Sequence, residues 1–200
     1  MKYNTIIFDF GKVLVNYDFG PAIRKYLPTV ELQRDFAAIF CSDEFINACD
    51  LGFKTVPELM RELIDEHPVF APYVNNIIPT IDEFIPGEVA GMRELLKELK
   101  SNGIRLLGLT NWGASIYEIM DAYTEIFSLL DGRMISSEEH IIKPDVRIYE
   151  RLIEKFSLTP KECLFVDDKA VNIEGAGKAG LNGYQFTTAE KLREYLGLPI

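Results

Sequence analysis

The sequence predicts an α/β fold: a parallel sheet flanked by helices, with an all-helical segment inserted after the first strand. Three observations predict it. Short apolar runs end abruptly in polar residues at several points along the chain, as buried parallel strands do. Amphipathic helical patterns separate those runs. One long stretch, residues 17 to 85, contains helical periodicity but no strand pattern.

Residues 4 to 10 read as the first strand, ending in an acid and then Gly11. In the insert, Val56, Leu59, Met60, Leu63 and Ile64 recur at helical spacing, and residues 31 to 40 suggest another helix. Prolines at 21, 28, 57, 68, 72, 79 and 86 punctuate it. Val89, Met92, Leu95, Leu96 and Leu99 form a helical stripe that stops at Asn102-Gly103. Residues 103 to 109 read as a second strand ending at Thr110-Asn111. A weaker strand falls near Arg133 to Ser136, and a helix carrying Tyr149, Leu152, Ile153 and Phe156 follows Pro144. Cys163 to Val166 reads as a strand ending in Asp167-Asp168, and a last weak strand falls near Tyr184 to Thr187. This gives an expected core of residues 1–16 and 86–200 and an expected helical unit of residues 17–85. Polar residues gather at the C-terminal ends of three strands, the edge at which open α/β sheets bind ligands.

Composition narrows the function. With 48% hydrophobic and 26% charged residues, the chain is neither disordered nor membrane-like. Its formal net charge is −10 and it has no basic run, which argues against nucleic acid as a partner. The insert holds five Lys/Arg against twelve Asp/Glu, a net of −7, and reads as a solvated surface. An anionic substrate would need a local cation: a metal, a lysine or a helix N-terminus. No apolar run is long enough for a membrane span, and the first apolar stretch is broken by Asp9, so a cytoplasmic, membrane-free protein is expected. Cys41, Cys49 and Cys163 read as small buried hydrophobes. The sequence fixes no oligomeric state.

Four signals carry chemistry. Ile6 to Leu14 places Asp9 at the end of a buried strand. Leu107 to Asn111 places a hydroxyl and an amide at the end of another. Ile142-Lys143-Pro144 puts a lysine just before a helix. Leu164 to Asp168 ends a strand in two acids, with Asn172 shortly after. Singly, each has a plainer explanation as a cap, a turn, a surface charge or a solvated loop. Together, at one sheet edge, they define a candidate site.

In these segments the sequence resembles the haloacid dehalogenase superfamily, and within it the phosphatase-like members with a small helical cap. It is similar to bacterial sugar-phosphate phosphatases of the alpha-glucose-1-phosphate type in the Asp9-Phe10-Gly11 segment, in Lys143 to Tyr149 and in Asp167 to Ala176. The resemblance implies a Rossmann-like core and hydrolysis of a small phosphorylated metabolite. Asp9 would be the nucleophile that forms an aspartyl phosphate. Mg²⁺ would be held by the Asp9 carboxylate, the Gly11 carbonyl and Asp168, with Asp167 behind them or as an alternate ligand. Thr110 and the Asn111 amide would hold phosphate oxygens, Lys143 would neutralise charge shared by Asp9 and the phosphoryl group, and Asn172 would orient Lys143 or the metal's surroundings. Substituting Lys143 should then lower turnover more than stability. Trp112 sits near the mouth as a substrate-facing wall or as a core filler.

One departure matters. Phosphatases of this kind commonly carry a second acid two positions after the nucleophile, and here that position is Gly11. With no proton donor there, esters with good leaving groups, such as sugar 1-phosphates and aryl phosphates, are expected to outrun phosphates of primary alcohols. Two alternatives share the same Asp9. A metal-independent 2-haloacid dehalogenase is one, although the Asp167-Asp168 pair would oppose an anionic carboxylate substrate. A non-catalytic phosphate-binding relative is the other. Gly175 to Gly180 matches Gly-x-Gly-x-x-Gly but follows two acids rather than its strand, and reads as close helix packing and a helix end. His67 and His140 read as surface residues.

Overall fold

A computed structural model describes residues 2–77 and 81–199; Pro79, one of the prolines punctuating the insert, lies outside them. The strands are β1 (Thr5–Phe8), β2 (Val15–Asn16), β3 (Gly87–Glu88), β4 (Arg105–Thr110), β5 (Gly132–Ile135), β6 (Cys163–Asp167) and β7 (Asn182–Gln185), and the short β2 and β3 correspond to no apolar run read from the sequence. Five of them make one sheet in the order β5-β4-β1-β6-β7, every pair parallel. The fold class read from the sequence is the one observed.

The alternation of side chains along β1 builds both faces of the core. Ile6 and Phe8 point into one cluster with Leu106, Leu164, Val166, Met92, Leu95 and Leu96. Ile7 points into the other, with Leu107, Leu109, Phe165, Tyr149 and Leu152. Burial on both faces is why β1, β4 and β6 read as continuous apolar runs instead of alternating ones. Because β1 lies between β4 and β6, a crevice opens at the C-terminal ends of these three strands, where the chain connections diverge.

The helices are α1 (Gly20–Tyr26), α2 (Val30–Phe40), α3 (Asp43–Leu51), α4 (Val56–Glu66), α5 (Ala71–Ile77), α6 (Ile81–Phe84), α7 (Met92–Ser101), α8 (Ile116–Ala122), α9 (Thr124–Phe127), α10 (Ser136–Glu139), α11 (Val146–Phe156), α12 (Ala170–Lys178) and α13 (Ala189–Leu196). The first six follow one another without a strand between them among the described residues, and α1, α2, α4 and α5 with their flanking turns share a core of their own made by Ile23, Leu27, Phe36, Met60, Leu63, Phe70 and Val74. In α4 the helical stripe buries Leu59, Met60 and Leu63, and Thr55 with Glu58 closes a capping box at its start. The antiparallel pair β2–β3 joins the chain entering this helical segment to the chain leaving it, with Asn16 opposite Gly87.

The cysteine reading needs correction. Cys163 is buried in β6, but Cys49 is half-buried and Cys41, the C-cap of α2, is exposed. Gly175 acts as expected: a Cβ there would lie 2.6 Å from the Pro144 carbonyl oxygen, so its absence lets α12 pack on the segment carrying Lys143. Both histidines are exposed. Among the described residues, no helix is long and apolar enough to cross a membrane.

Candidate active site

Asp9 leaves β1 at the sheet edge and is 8% exposed. Its Oδ1 accepts the Phe10 amide at 2.7 Å and lies 2.8 Å from Lys143 Nζ. Its Oδ2 accepts no hydrogen bond among the described residues. Lys143 is buried and its three ammonium hydrogens are all engaged: with Asp9, with Asp167 Oδ2 at 2.7 Å and with the Leu109 carbonyl at 3.0 Å. Burial works against its charge, but Asp9 and Asp167 outweigh that and hold its pKa above the usual lysine value. A surface charge before a helix is therefore not what this lysine is.

Asp167 is fully buried and fully committed. Asn172 Nδ2 donates to both its oxygens at 3.0 Å, the Lys169 amide donates to Oδ1 at 2.8 Å, and Lys143 takes Oδ2. Tyr149 supports this from behind by donating to the Asn172 carbonyl at 2.8 Å. Asp168, by contrast, is half-buried and its carboxylate accepts no hydrogen bond among the described residues. Burial first, then Asp167, pushes its pKa up, against Lys169, Lys12 and Lys143. Burial also pushes the Asp9 carboxyl up to about 6; Lys143 opposes this and Asp167 adds to it.

Thr110 ends β4 beside Asp9, 0% exposed, with a hydroxyl that has no hydrogen-bond partner among the described residues. A buried orphan hydroxyl is costly unless something supplies its partner. Asn111 does not reach into the crevice with its side chain. That amide brackets the Lys143 backbone, donating to its carbonyl at 3.0 Å and accepting its N–H at 2.8 Å. Trp112 lies at the rim, half-buried, its ring edge-on to Tyr17 at 5.9 Å.

Gly11 has a spatial reason to lack a side chain. A Cβ there would sit 2.8 Å from Tyr17 Cε1 and 3.4 Å from Trp112 Cζ3, so the Tyr17 ring fills the place where a side chain at 11 would project. The Gly11 carbonyl accepts no hydrogen bond among the described residues. Asp9, Asp167 and Asp168 each offer a carboxylate oxygen within 4.8 Å of the others. Since Asp167 has its lone pairs engaged, the free donors are Asp9 Oδ2, the Gly11 carbonyl and Asp168. These are hard oxygens of the kind that suit Mg²⁺.

Four residues near this site carried no sequence signal: Tyr17, Asp50, Ser136 and Lys169. Ser136, buried after β5, accepts the Trp112 N–H at 3.0 Å and donates to the Asp50 carbonyl at 2.6 Å, tying α3 to the sheet edge.

The sequence matches the model of the haloacid dehalogenase-like hydrolases over residues 3–180. The chain belongs to this family. Among its hydrolase relatives, the sesquiterpene phosphatase astK of Aspergillus oryzae is 33% identical over 113 residues, 54% of this chain and 57% of that protein. The (S)-2-haloacid dehalogenase 4A of Burkholderia cepacia is 29% identical over 107 residues, 54% of this chain and 46% of that protein. The chain thus spans about half the length of these two relatives. The haloacid dehalogenase family enzyme BT-2542 of Bacteroides thetaiotaomicron, solved with magnesium and inorganic phosphate, superposes with a TM-score of 0.72 at 17% identity, covering 94% of this chain and 96% of that one. At that identity the likeness speaks for the fold.

Proposed function

We propose that this hydrolase is a magnesium-dependent phosphatase that acts on a small phosphorylated metabolite through an aspartyl phosphate on Asp9. The observation that carries this reading is the buried, unpartnered Thr110 hydroxyl next to the Asp9–Lys143 pair. A phosphoryl oxygen supplies the partner that the hydroxyl lacks, and the adjacent carboxylate oxygen Asp9 Oδ2 is free to attack phosphorus. Lys143 holds Asp9 in position and offsets its charge, which would otherwise repel an anionic phosphoryl group. Asn111 fixes the Lys143 backbone, and Asn172 fixes Asp167, which in turn fixes the lysine. Mg²⁺ would be held by Asp9, the Gly11 carbonyl and Asp168, and when bound it supplies the remaining positive charge for the phosphoryl oxygens. In this reading the helical segment of residues 17–85 is a cap over the sheet edge that faces the organic part of the substrate, with Trp112 at its rim.

Both phosphatases and dehalogenases occur among the relatives. The free Asp168 carboxylate favours the phosphatase, because without a metal it would repel a carboxylate substrate. The test is a screen of phosphate monoesters with Mg²⁺, run alongside chloride release from 2-chloropropionate with EDTA. Phosphate release that Asp9→Asn abolishes without loss of fold is expected. Chloride release in EDTA, with no phosphate release in Mg²⁺, would overturn the reading.

A further inference from the structure

We propose that Asp50, at the end of α3 in the helical insert, is the acid–base residue that Gly11 lacks: it protonates the leaving group and then deprotonates the attacking water. The proposal rests on the phosphatase reading.

The position of Asp50 is built in. Its carbonyl accepts the Ser136 hydroxyl at 2.6 Å, and Ser136 also holds the Trp112 N–H, directly after Thr110 and Asn111. The Leu51 carbonyl lies 2.8 Å from His140 Nδ1. Gly52 follows in a left-handed turn (φ 69°), set so close to the core that a Cβ would lie 2.6 Å from that of Ser137. The end of α3 is therefore fastened to the sheet edge at several points. The Asp50 carboxylate itself accepts no hydrogen bond among the described residues, so it is free for another partner.

Its surroundings suit the role. Burial pushes the carboxyl up to about 7, while Lys169 and Lys143 oppose the rise and Asp9 adds to it. Tyr17 and Cys49 also feel its charge. A group that titrates near neutrality can both give and take a proton during one turnover. Tyr17 fills the space at Gly11 but cannot take over this chemistry as a base. Burial, then Asp168, Asp9 and Asp50, push its phenol up to about 12, so it stays protonated. An in-line attack by Asp9 Oδ2 sends the ester oxygen out on the opposite side of phosphorus, away from the end of β1.

The steps balance. Asp9 Oδ2 forms a bond to phosphorus as the ester P–O bond breaks, and the Asp50 carboxyl proton passes to the departing alkoxide, giving the alcohol. The Asp50 carboxylate then takes a proton from water, whose oxygen attacks phosphorus and breaks the bond to Asp9. Inorganic phosphate leaves, Asp9 is again a carboxylate and Asp50 is again protonated. This replaces the expectation of a preference for good leaving groups.

The experiment measures kcat/KM with Mg²⁺ for phosphate monoesters ranging from 4-nitrophenyl to primary alkyl, in wild type, Asp50→Asn, Asp50→Glu and Tyr17→Phe. The wild type should show little dependence on the leaving group. Asp50→Asn should lose ~10²–10⁴-fold on alkyl esters but less than ~10-fold on 4-nitrophenyl phosphate, whose hydrolysis also reports an intact fold. The alkaline limb of the wild-type alkyl-ester pH profile should vanish in Asp50→Asn, and Asp50→Glu should recover part of the rate. An unchanged slope in Asp50→Asn, equal losses on aryl and alkyl esters, or a slope change confined to Tyr17→Phe would overturn the proposal and leave the phosphatase reading standing. Absence of phosphate release by the wild type would overturn both.

Discussion

Replacing Thr110 with valine should stabilise the ligand-free protein and weaken its hold on phosphate. Thr110 is 0% exposed and its hydroxyl has no partner among the described residues, so the folded state carries the desolvation cost of that group. For a buried hydroxyl this amounts to ~1–3 kcal/mol, and a valine of the same shape removes it. In a chain of this size each kcal/mol shifts the melting temperature by about 2–4 °C, so the variant should melt roughly 2–12 °C higher. With phosphate and Mg²⁺ the order should narrow or reverse. A hydrogen bond to a charged group is worth ~1.5–3 kcal/mol, so the variant should bind phosphate about 10- to 100-fold more weakly and gain less from it in a thermal melt. Thermal unfolding of both proteins, with and without Mg²⁺ and graded phosphate, reads both effects. A valine variant that melts lower than wild type without ligand, or that gains as much from phosphate, would refute the assignment of this hydroxyl as a waiting ligand.

The two adjacent acids should separate in kind. Asp168→Ala should weaken Mg²⁺ binding at least ~10-fold with little effect on melting, since its carboxylate is free and half-buried; Asp167→Ala should chiefly lose stability, by ~3–5 kcal/mol, because it strips a buried partner from Lys143. Calorimetric titration and melting of both variants decide this, and equal losses of metal affinity would refute the division. Burial of Lys143 overturns the expectation that its loss would spare stability: Lys143→Ala should also lower stability by ~3–5 kcal/mol, because Asp9 and Asp167 would be left buried without their cation. A melting temperature within about 2 °C of wild type would show that the buried triad is not as described.

The sheet was legible because burial on both faces leaves an unbroken apolar run, and the end of each run is marked by a polar residue at the C-terminal edge of the sheet. Asp9, Thr110 and Asp167 stood out for that reason. The limits were less legible. The first run reads as a strand to Phe10, but the strand ends at Phe8, with the Asp9 N–H making the last bond to the Val166 carbonyl, and the Phe10 carbonyl instead gathers the Leu14 and Val15 amides in a turn. The resemblance implies that Asn111 holds phosphate, whereas its side chain is spent on the Lys143 backbone, a contact that no spacing rule reveals. Lys143 gave no sign of its burial, since its environment is made by three separate strand ends. Tyr17, Asp50 and Ser136 lay beyond reach for a related reason. They join the site through ring volume and backbone carbonyls, and such contacts constrain position without demanding a recognisable residue pattern.

The small β2–β3 ribbon has a consequence for how such a protein can change. Because Asn16 and Gly87 are paired, the intervening segment of about seventy residues departs from the sheet and returns to it at one point, and doubling its length would add only ~0.6 kcal/mol of closure entropy. A different segment could be grafted at that seam with the strands and Asp9 left in place. The graft would not be neutral for chemistry, however. Tyr17, which occupies the space at Gly11, and Asp50, fastened to Ser136, would leave together with the old segment. The identity of residue 11 and the identity of the grafted segment are therefore linked: a replacement lacking both side chains vacates the space into which an acid at position 11 would fit, and at the same moment creates the need for one.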